Sequence, residues 1–292
     1  VTEKAPERMT ASVEQQEKYY QLEVSPILAS MLQHAEVQRD EINSLKQKNP
    51  SLWETVREKL RITWTYDSNA IEGSTLSYGD TLFFLREGLT VEGKPFKDFV
   101  DAKNHAEAID FLYDVVSHNR GVSESFIKEL NALLLKGVDY IPAINEQGQK
   151  INKPATPGQY KKQANRVLQT DGSVHHFVEP IHVSSEMAKL CDWIESQKGD
   201  LHPIAVGAVA HYNLVRIHPF DDGNGRGARI LMNLILMKAG YPPAIVKNEK
   251  RRKYLEVLQE ANTGNLEPFV EFIVSSLAIT QEMILEDMAY NP

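Results

Sequence analysis

Residues 218 to 229 read HPFDDGNGRGAR, set between the apolar stretches PIAVGAVAHYNLVRI and ILMNLILMKAGYPP. Pro219 cannot extend a preceding helix, because it lacks an amide hydrogen and its ring collides with the turn before it. His218 is therefore expected at a helix end, with its imidazole facing a cleft, while Phe220 pins the loop to the core. Glycines at 223 and 225 let backbone amides come close to a ligand, since no Cβ intervenes. From about Gly225 the chain re-enters a helix, and its unpaired N–H groups and positive dipole end point into the same cleft. Arg226 and Arg229 are three apart, hence neighbours on the first turn. An amide nest, a helix N-terminus and two guanidinium groups together suit a phosphate.

The aspartates need a separate account. A carboxylate beside a polyphosphate repels it unless a cation lies between them, and Mg²⁺ held by one or two carboxylates plus phosphate oxygens is the usual solution. Asp221 or Asp222 could serve; spacing does not choose between them. A histidine with a pKa near its reference value of about 6.5 is substantially neutral at neutral pH and can accept a proton from an attacking hydroxyl. No G-x-x-x-x-G-K-[ST] loop occurs here, so this is not a Walker A site. Alone, a histidine before proline is a helix-end residue and G-N-G is a turn. Two arginines in a first helical turn, however, oppose the dipole, and the whole set within twelve residues points to a site.

At this point the sequence resembles the Fic-domain proteins. HPFDDGNGRGAR matches every fixed position of that family's signature, H-x-F-x-[DE]-G-N-G-R-x-x-R, and the likeness extends over about residues 55–280. The resemblance implies a helical fold and transfer of AMP from ATP to a Ser, Thr or Tyr hydroxyl of a target protein. By position it implies His218 as general base and Asp222 as Mg²⁺ ligand. It gives Asn224 and the backbone of Gly223 and Gly225 to phosphate, and Arg226 and Arg229 to the outer phosphates. PGQYKKQANRV resembles the segment leading into the family's flap, a hairpin along which a target protein binds; Lys161 stands where the family has Arg, and Glu179-Pro180 where it has Pro-Pro. YLEVLQEANTGNLEPFVEFI resembles the later helix pair, in which Tyr254 and Asn262 border the adenine pocket. Relatives of this kind commonly form homodimers.

A second motif lies upstream. SNAIEG, residues 68–73, matches [ST]-x-x-x-E-[GN], the inhibitory motif of family members whose restraint precedes the core. Ser68 and Glu72 are four apart and share a helix face, and Gly73 ends that helix. A glutamate at the negative end of a helix is unfavourable, which calls for a cationic partner; the resemblance names Arg229. One guanidinium cannot serve both Glu72 and the γ-phosphate, so the α-phosphorus loses its alignment with the incoming hydroxyl. Each 1.4 kcal/mol favouring the closed pair reduces the competent population about tenfold. Two other functions fit the same residues: a bifunctional or de-AMPylating enzyme, and a non-catalytic nucleotide-sensing scaffold, which has no need of a base at 218.

The elements that must hold these groups are mostly helical. The chain has 292 residues, 42% hydrophobic, enough for a large core. A net charge of −8 argues against nucleic acid as a partner. The single cysteine, Cys191, excludes an intrachain disulfide, fits a reducing compartment, and sits in the amphipathic run EMAKLCDWI as a buried structural thiol. No run of 18 apolar residues and no signal pattern occurs, so a cytoplasmic protein without a membrane partner is expected, with VTEKAPERM as a disordered tail. Apolar spacing predicts one or two helices over 11–47, with Pro26 as a break, and further helices over 51–72, 77–88, 101–117, 122–136, 183–197, 203–217, 225–239, 249–262 and 266–289. NRVLQTDGSVHHFV reads as two short strands around Asp171-Gly172. The fold class is thus all-α: a Fic-type helical bundle with one small β-hairpin flap at about 160–180 and an N-terminal helical extension. The expected division is an N-terminal region, 1–95, carrying the inhibitory helix at about 51–73, and a catalytic core, 96–292.

Overall fold

The computed structural model describes residues 17–144, 149–168, 174–197 and 199–289. In chain order they form helices α1 (Pro26–Lys48), α2 (Pro50–Ile71), α3 (Tyr78–Glu87), α4 (Phe96–Ser117) and α5 (Glu124–Leu134). Four strands follow: β1 (Tyr140–Ile144), β2 (Lys150–Pro154), β3 (Arg166–Leu168) and β4 (Val174–His176). The chain then continues through α6 (Pro180–Ser196), α7 (Pro203–Ile217), α8 (Asn224–Lys238), a 3₁₀ turn (Asn248–Lys250), α9 (Arg251–Ala261) and α10 (Glu267–Ala289).

Local chemistry sets the helix boundaries. Pro26, Pro50, Pro180 and Pro203 each open a helix, where a missing amide is no loss. Pro26, expected as a break, is therefore a start. Ser77 and Asp80 form the reciprocal cap of α3, and Gly88, left-handed at φ 70°, ends it as expected. Ser25, Asn49 and Ser123 cap α1, α2 and α5 with their side-chain oxygens. α4 starts at Phe96, five residues earlier than its apolar spacing suggested, because Phe96 is exposed and carries no core periodicity.

α7 is apolar on nearly every side and buried almost end to end, from Ile204 to Leu214. It packs against α8, whose Ile230, Leu231, Met232, Leu234 and Leu236 are also fully buried. This antiparallel pair is the axis of the molecule, and HPFDDGNGRGAR is the loop and first turn that join it. Around it α6 and α10 pack on α7, while α2, α4 and α5 pack on α8. α1 lies on α10, so residues 1–95 and 96–292 contribute to one hydrophobic cluster. α10 has the length and composition of a membrane span, yet Phe269, Val270, Ile273, Leu277 and Ile284 are buried in this core.

Two antiparallel hairpins interrupt the helices. β3 pairs with β4 in the expected flap, with Arg166 opposite His176; the Asp171-Gly172 turn lies outside the described residues. The β1–β2 hairpin, with Tyr140 opposite Pro154, was not expected. Pro142 and Pro154 disguise it, because proline usually argues against a strand; in a two-stranded sheet every strand is an edge, where proline is tolerated. Cys191 is half-buried rather than buried, and burial pushes its thiol up to about 12.

Two histidines are sealed inside: His105 on α4 and His211 on α7. Burial, followed by the positive charge of Arg229, lowers both well below the ordinary range. Their folded pKa lies under the unfolded value of about 6.5, so the unfolded chain binds protons first as pH falls, and stability is lost from about 6.5 downward. The thermal midpoint is expected to drop between about pH 7 and pH 5, with no titration of either ring in the folded protein by NMR. A ring that titrates near 6.5 while the chain stays folded contradicts this burial.

Candidate active site

The site is the hinge between α7 and α8. His218 closes α7 in the left-handed region (φ 51°), its N–H donating to the Leu214 carbonyl at 3.0 Å. A non-glycine residue there is strained, and Pro219 bars any helical continuation. Three asparagines then shape the loop. Asn224 Oδ1 accepts from the Phe220 amide (3.0 Å), and its Nδ2 donates to the Phe220 carbonyl (2.8 Å). Asn165 also donates to that carbonyl, and Asn131 on α5 donates to the Asp222 carbonyl at 2.9 Å. Gly223 adopts φ 80° and admits Asn131 close to its Cα, so α8 begins at Asn224.

Arg229 is 2% exposed, and its shortest contacts come from the end of α2. Nη2 lies 2.7 Å from Glu72 Oε1 and donates to the Ser68 carbonyl at 2.9 Å, while Nε donates to Ser68 Oγ at 3.0 Å. Ser68, Glu72 and Arg229, expected to meet, do meet. Glu72 caps α2, with Gly73 left-handed after it, and its side chain is 42% exposed. Burial raises its carboxyl, but Arg229's charge and hydrogen bond outweigh that and hold it below the usual range. Gly225 makes the approach feasible: a Cβ there would collide with Glu72 Oε1 and press on Arg229 Nη1.

Arg226 turns elsewhere. Its Nη1 lies 2.8 Å from Asp101 of α4, and Nη2 lies 3.7 Å from Asp222 Oδ1. The two motif arginines, neighbours along the helix, thus face different acids. The aspartates divide as well. Asp221 is held by Lys153 of β2 (2.5 Å) and Thr156 Oγ1 (3.2 Å), tying the unexpected hairpin to the loop. Asp222 stays one-third exposed, with Oδ1 accepting its neighbour's amide, Gly223 N–H, at 2.6 Å.

The imidazole of His218 stacks on Phe177, just after β4, with ring centres 3.9 Å apart and planes 20° apart. Burial, then the nearby charge of Lys161, lowers its pKa to about 3. The ring is therefore neutral, as expected, but for a reason the sequence does not show. Lys161 is itself buried, its amide donating to the Pro219 carbonyl at 2.8 Å. Tyr254 and Asn262 stand at the two ends of α9. The Tyr254 hydroxyl points inward, 3.4 Å from Arg229 Nη1 and 2.9 Å from His211 Nε2, and Asn262 Oδ1 accepts from the Tyr212 hydroxyl at 3.1 Å. Sequence reasoning missed Asp101, Asn131, Lys153 and Phe177. Each is isolated in the chain, and only the fold brings it to the loop.

Comparison with known proteins fits this geometry. Residues 121–236 match the Fic/DOC family. The "Protein adenylyltransferase fic-1" of Caenorhabditis elegans is 35% identical over 256 residues, 86% of this chain and 46% of that protein. "Protein adenylyltransferase Fic" of Aedes aegypti is 32% identical over 85% of this chain and 46% of that protein. The chain thus spans about half the length of the curated relatives it matches. Among solved structures, a Fic domain containing signaling protein from Bacteroides thetaiotaomicron superposes with a TM-score of 0.77 at 28% identity, over 89% of this chain and 97% of that one. A Fic-1 segment from C. elegans superposes with a TM-score of 0.75 at 31% identity, over 90% of this chain and 73% of that one. With the signature loop seated between two buried helices and relatives matching along nearly its whole length, the chain belongs to the Fic/DOC family.

Proposed function

We propose that this chain is an autoinhibited protein adenylyltransferase, transferring AMP from ATP to a Ser, Thr or Tyr hydroxyl of a target protein. The observation that carries the reading is the convergence of His218, the Gly223–Gly225 backbone and Arg229 at the start of α8, with Glu72 seated on Arg229. Relatives bearing the adenylyltransferase name support the chemistry. The amides of the 223–225 turn and the N-terminus of α8 receive phosphate oxygens. Arg229, once released by Glu72, binds the outer phosphates and sets the α-phosphorus in line with the acceptor. The acceptor oxygen bonds to that phosphorus, the bond to pyrophosphate breaks, and the hydroxyl proton passes to the imidazole of His218. A ring with a pKa near 3 is a weak base, and exposing it by displacing the stacked Phe177 would return its basicity toward the ordinary value.

Asp222 fits a Mg²⁺ ligand better than Asp221, since it is partly exposed and unclaimed by lysine. Among the described residues no group of three or more His, Cys, Asp or Glu could hold a metal, so the remaining ligands come from phosphate and water. When bound, Mg²⁺ offsets the charge of the phosphates and the departing pyrophosphate. A homodimer belongs to the same reading, supported by Phe83 of α3, Leu89 in the connection after it and Phe96 at the start of α4, which are 43%, 56% and 74% exposed.

Incubating the purified chain with α-³²P-ATP and Mg²⁺ tests the reading. Glu72→Gly is expected to raise AMP incorporation at least about tenfold, the effect of removing about 1.4 kcal/mol of closed-state preference. Adding His218→Ala to that variant is expected to abolish it. Equal labelling of wild type and Glu72→Gly removes the brake from the account, and intact masses distinguish AMP gain from AMP loss. In the Glu72→Gly background, Asp222→Asn is expected to raise the Mg²⁺ concentration needed for half-maximal labelling; an unchanged Mg²⁺ dependence excludes Asp222 as the ligand.

A further inference from the structure

The last turn of α2 carries both Ser68 and Glu72, and a helix end leaves four carbonyls without intrahelical partners. Here all four are accounted for. The Asn69 carbonyl accepts from the amides of Glu72 and Ser74, and the Ala70 carbonyl from Gly73, each at 3.0 Å. The Ser68 carbonyl accepts from Arg229, and the Ile71 carbonyl from Nε of Arg251 at 2.8 Å. Two arginines therefore hold this end of the helix from different sides, and only one of them lies in the signature motif.

Arg251 is the first residue of α9, and nothing about α9 itself calls for a cation there. Its N-terminal end reads Lys250, Arg251, Arg252, Lys253, with no acid in the first turn, although the dipole favours negative charge at that end. Arg252 turns to Glu256 one turn along the same helix, whereas Arg251 reaches across to α2. Tyr254 lies three residues on, hence on the same face, and its hydroxyl contacts Arg229. Just before α9, the buried carboxylate of Asp67 accepts the Asn248 amide at 2.9 Å and lies 3.2 Å from Lys247 Nζ. Residues 247–254 thus grip the final turn of α2 at Asp67 and Ile71, and touch the arginine that this turn restrains.

We propose that Arg251 is a positioning residue of the brake: by holding the last carbonyl of α2 it fixes where Glu72 leaves the helix and keeps the Glu72 carboxylate on Arg229. The proposal rests on the autoinhibition reading above. Without this bond the Ile71 carbonyl faces solvent, the turn frays, and the carboxylate samples positions away from Arg229. Arg229 is then free for phosphate in a larger share of molecules.

Arg251→Met tests it, since the stem is kept and only the guanidinium is lost. AMP incorporation from α-³²P-ATP is expected to rise about fivefold in the chain with Glu72 intact, the effect of losing one hydrogen bond of this kind. In the Glu72→Gly background the same substitution should change incorporation by less than about twofold, because no carboxylate remains to position. Arg251→Lys, which keeps a charge and a donor, should fall between wild type and Arg251→Met. No rise in Arg251→Met, or an equal rise in both backgrounds, overturns the proposal. Amide hydrogen exchange over residues 72–74 provides a readout independent of catalysis. Exchange should quicken in Arg251→Met, and unchanged exchange overturns the proposal even if the chain proves to transfer no AMP.

Discussion

A fully buried guanidinium must always have partners, and Arg229 is where that constraint falls in this protein. Leaving such a charge unpaired costs several kcal/mol, on the order of 3–5 when one partner of a buried pair is removed. In this structure the α2 turn provides a carboxylate, a hydroxyl and a carbonyl, and Tyr254 adds a second hydroxyl. The resting state is therefore electrostatically complete without any ligand. On the proposed reading a phosphate claims Arg229 by replacing Glu72, since a buried guanidinium gives up one anion most cheaply to another. Under that proposal the exchange would make the site a two-state device.

The surrounding architecture keeps this contest local. α7 and α8 are buried so completely that the loop between them has no freedom to drift, and asparagines from α5, α8 and the flap approach hold its carbonyls. Positive charge gathers at the start of α8 from the dipole and both motif arginines, and the fold sets one acid against each: Asp101 for Arg226, Glu72 for Arg229. The two pairs differ in their surroundings. Asp101 is buried on α4 and bonded also to Lys97, whereas Glu72 sits at a helix end and stays partly exposed. Of the two acids, Glu72 is the exposed one.

Much of this was legible in the chain before any fold. Proline after His218, glycines at 223 and 225, and arginines three apart state a local geometry that tertiary packing then keeps. Ser68 and Glu72 announce themselves the same way, through helical spacing and a glycine stop. What could not be read were pairings made across long chain separations. Asp101 and Asn131 look like ordinary polar residues of amphipathic helices, and nothing near Lys153 hints that β2 will reach Asp221. The β1–β2 hairpin was hidden by its own prolines. The low basicity of His218 was hidden too, since it comes first from burial, with the Phe177 ring stacked on the imidazole, and then from the charge of Lys161.

Gly225 shows why the competition is steric as well as electrostatic. Glycine near the start of a helix sacrifices up to about 1 kcal/mol relative to alanine, so its place at the second position of α8 needs a reason. A side chain there would occupy the space that Glu72 Oε1 fills in this structure. It would also cover the amides that a phosphate needs to approach. A phosphate bound as proposed would need this same volume, above the same backbone and beside the same guanidinium, that the Glu72 carboxylate fills. Under the proposed autoinhibition, a brake built this way would block the nucleotide by bulk and charge together, and moving the last turn of α2 would release both at once.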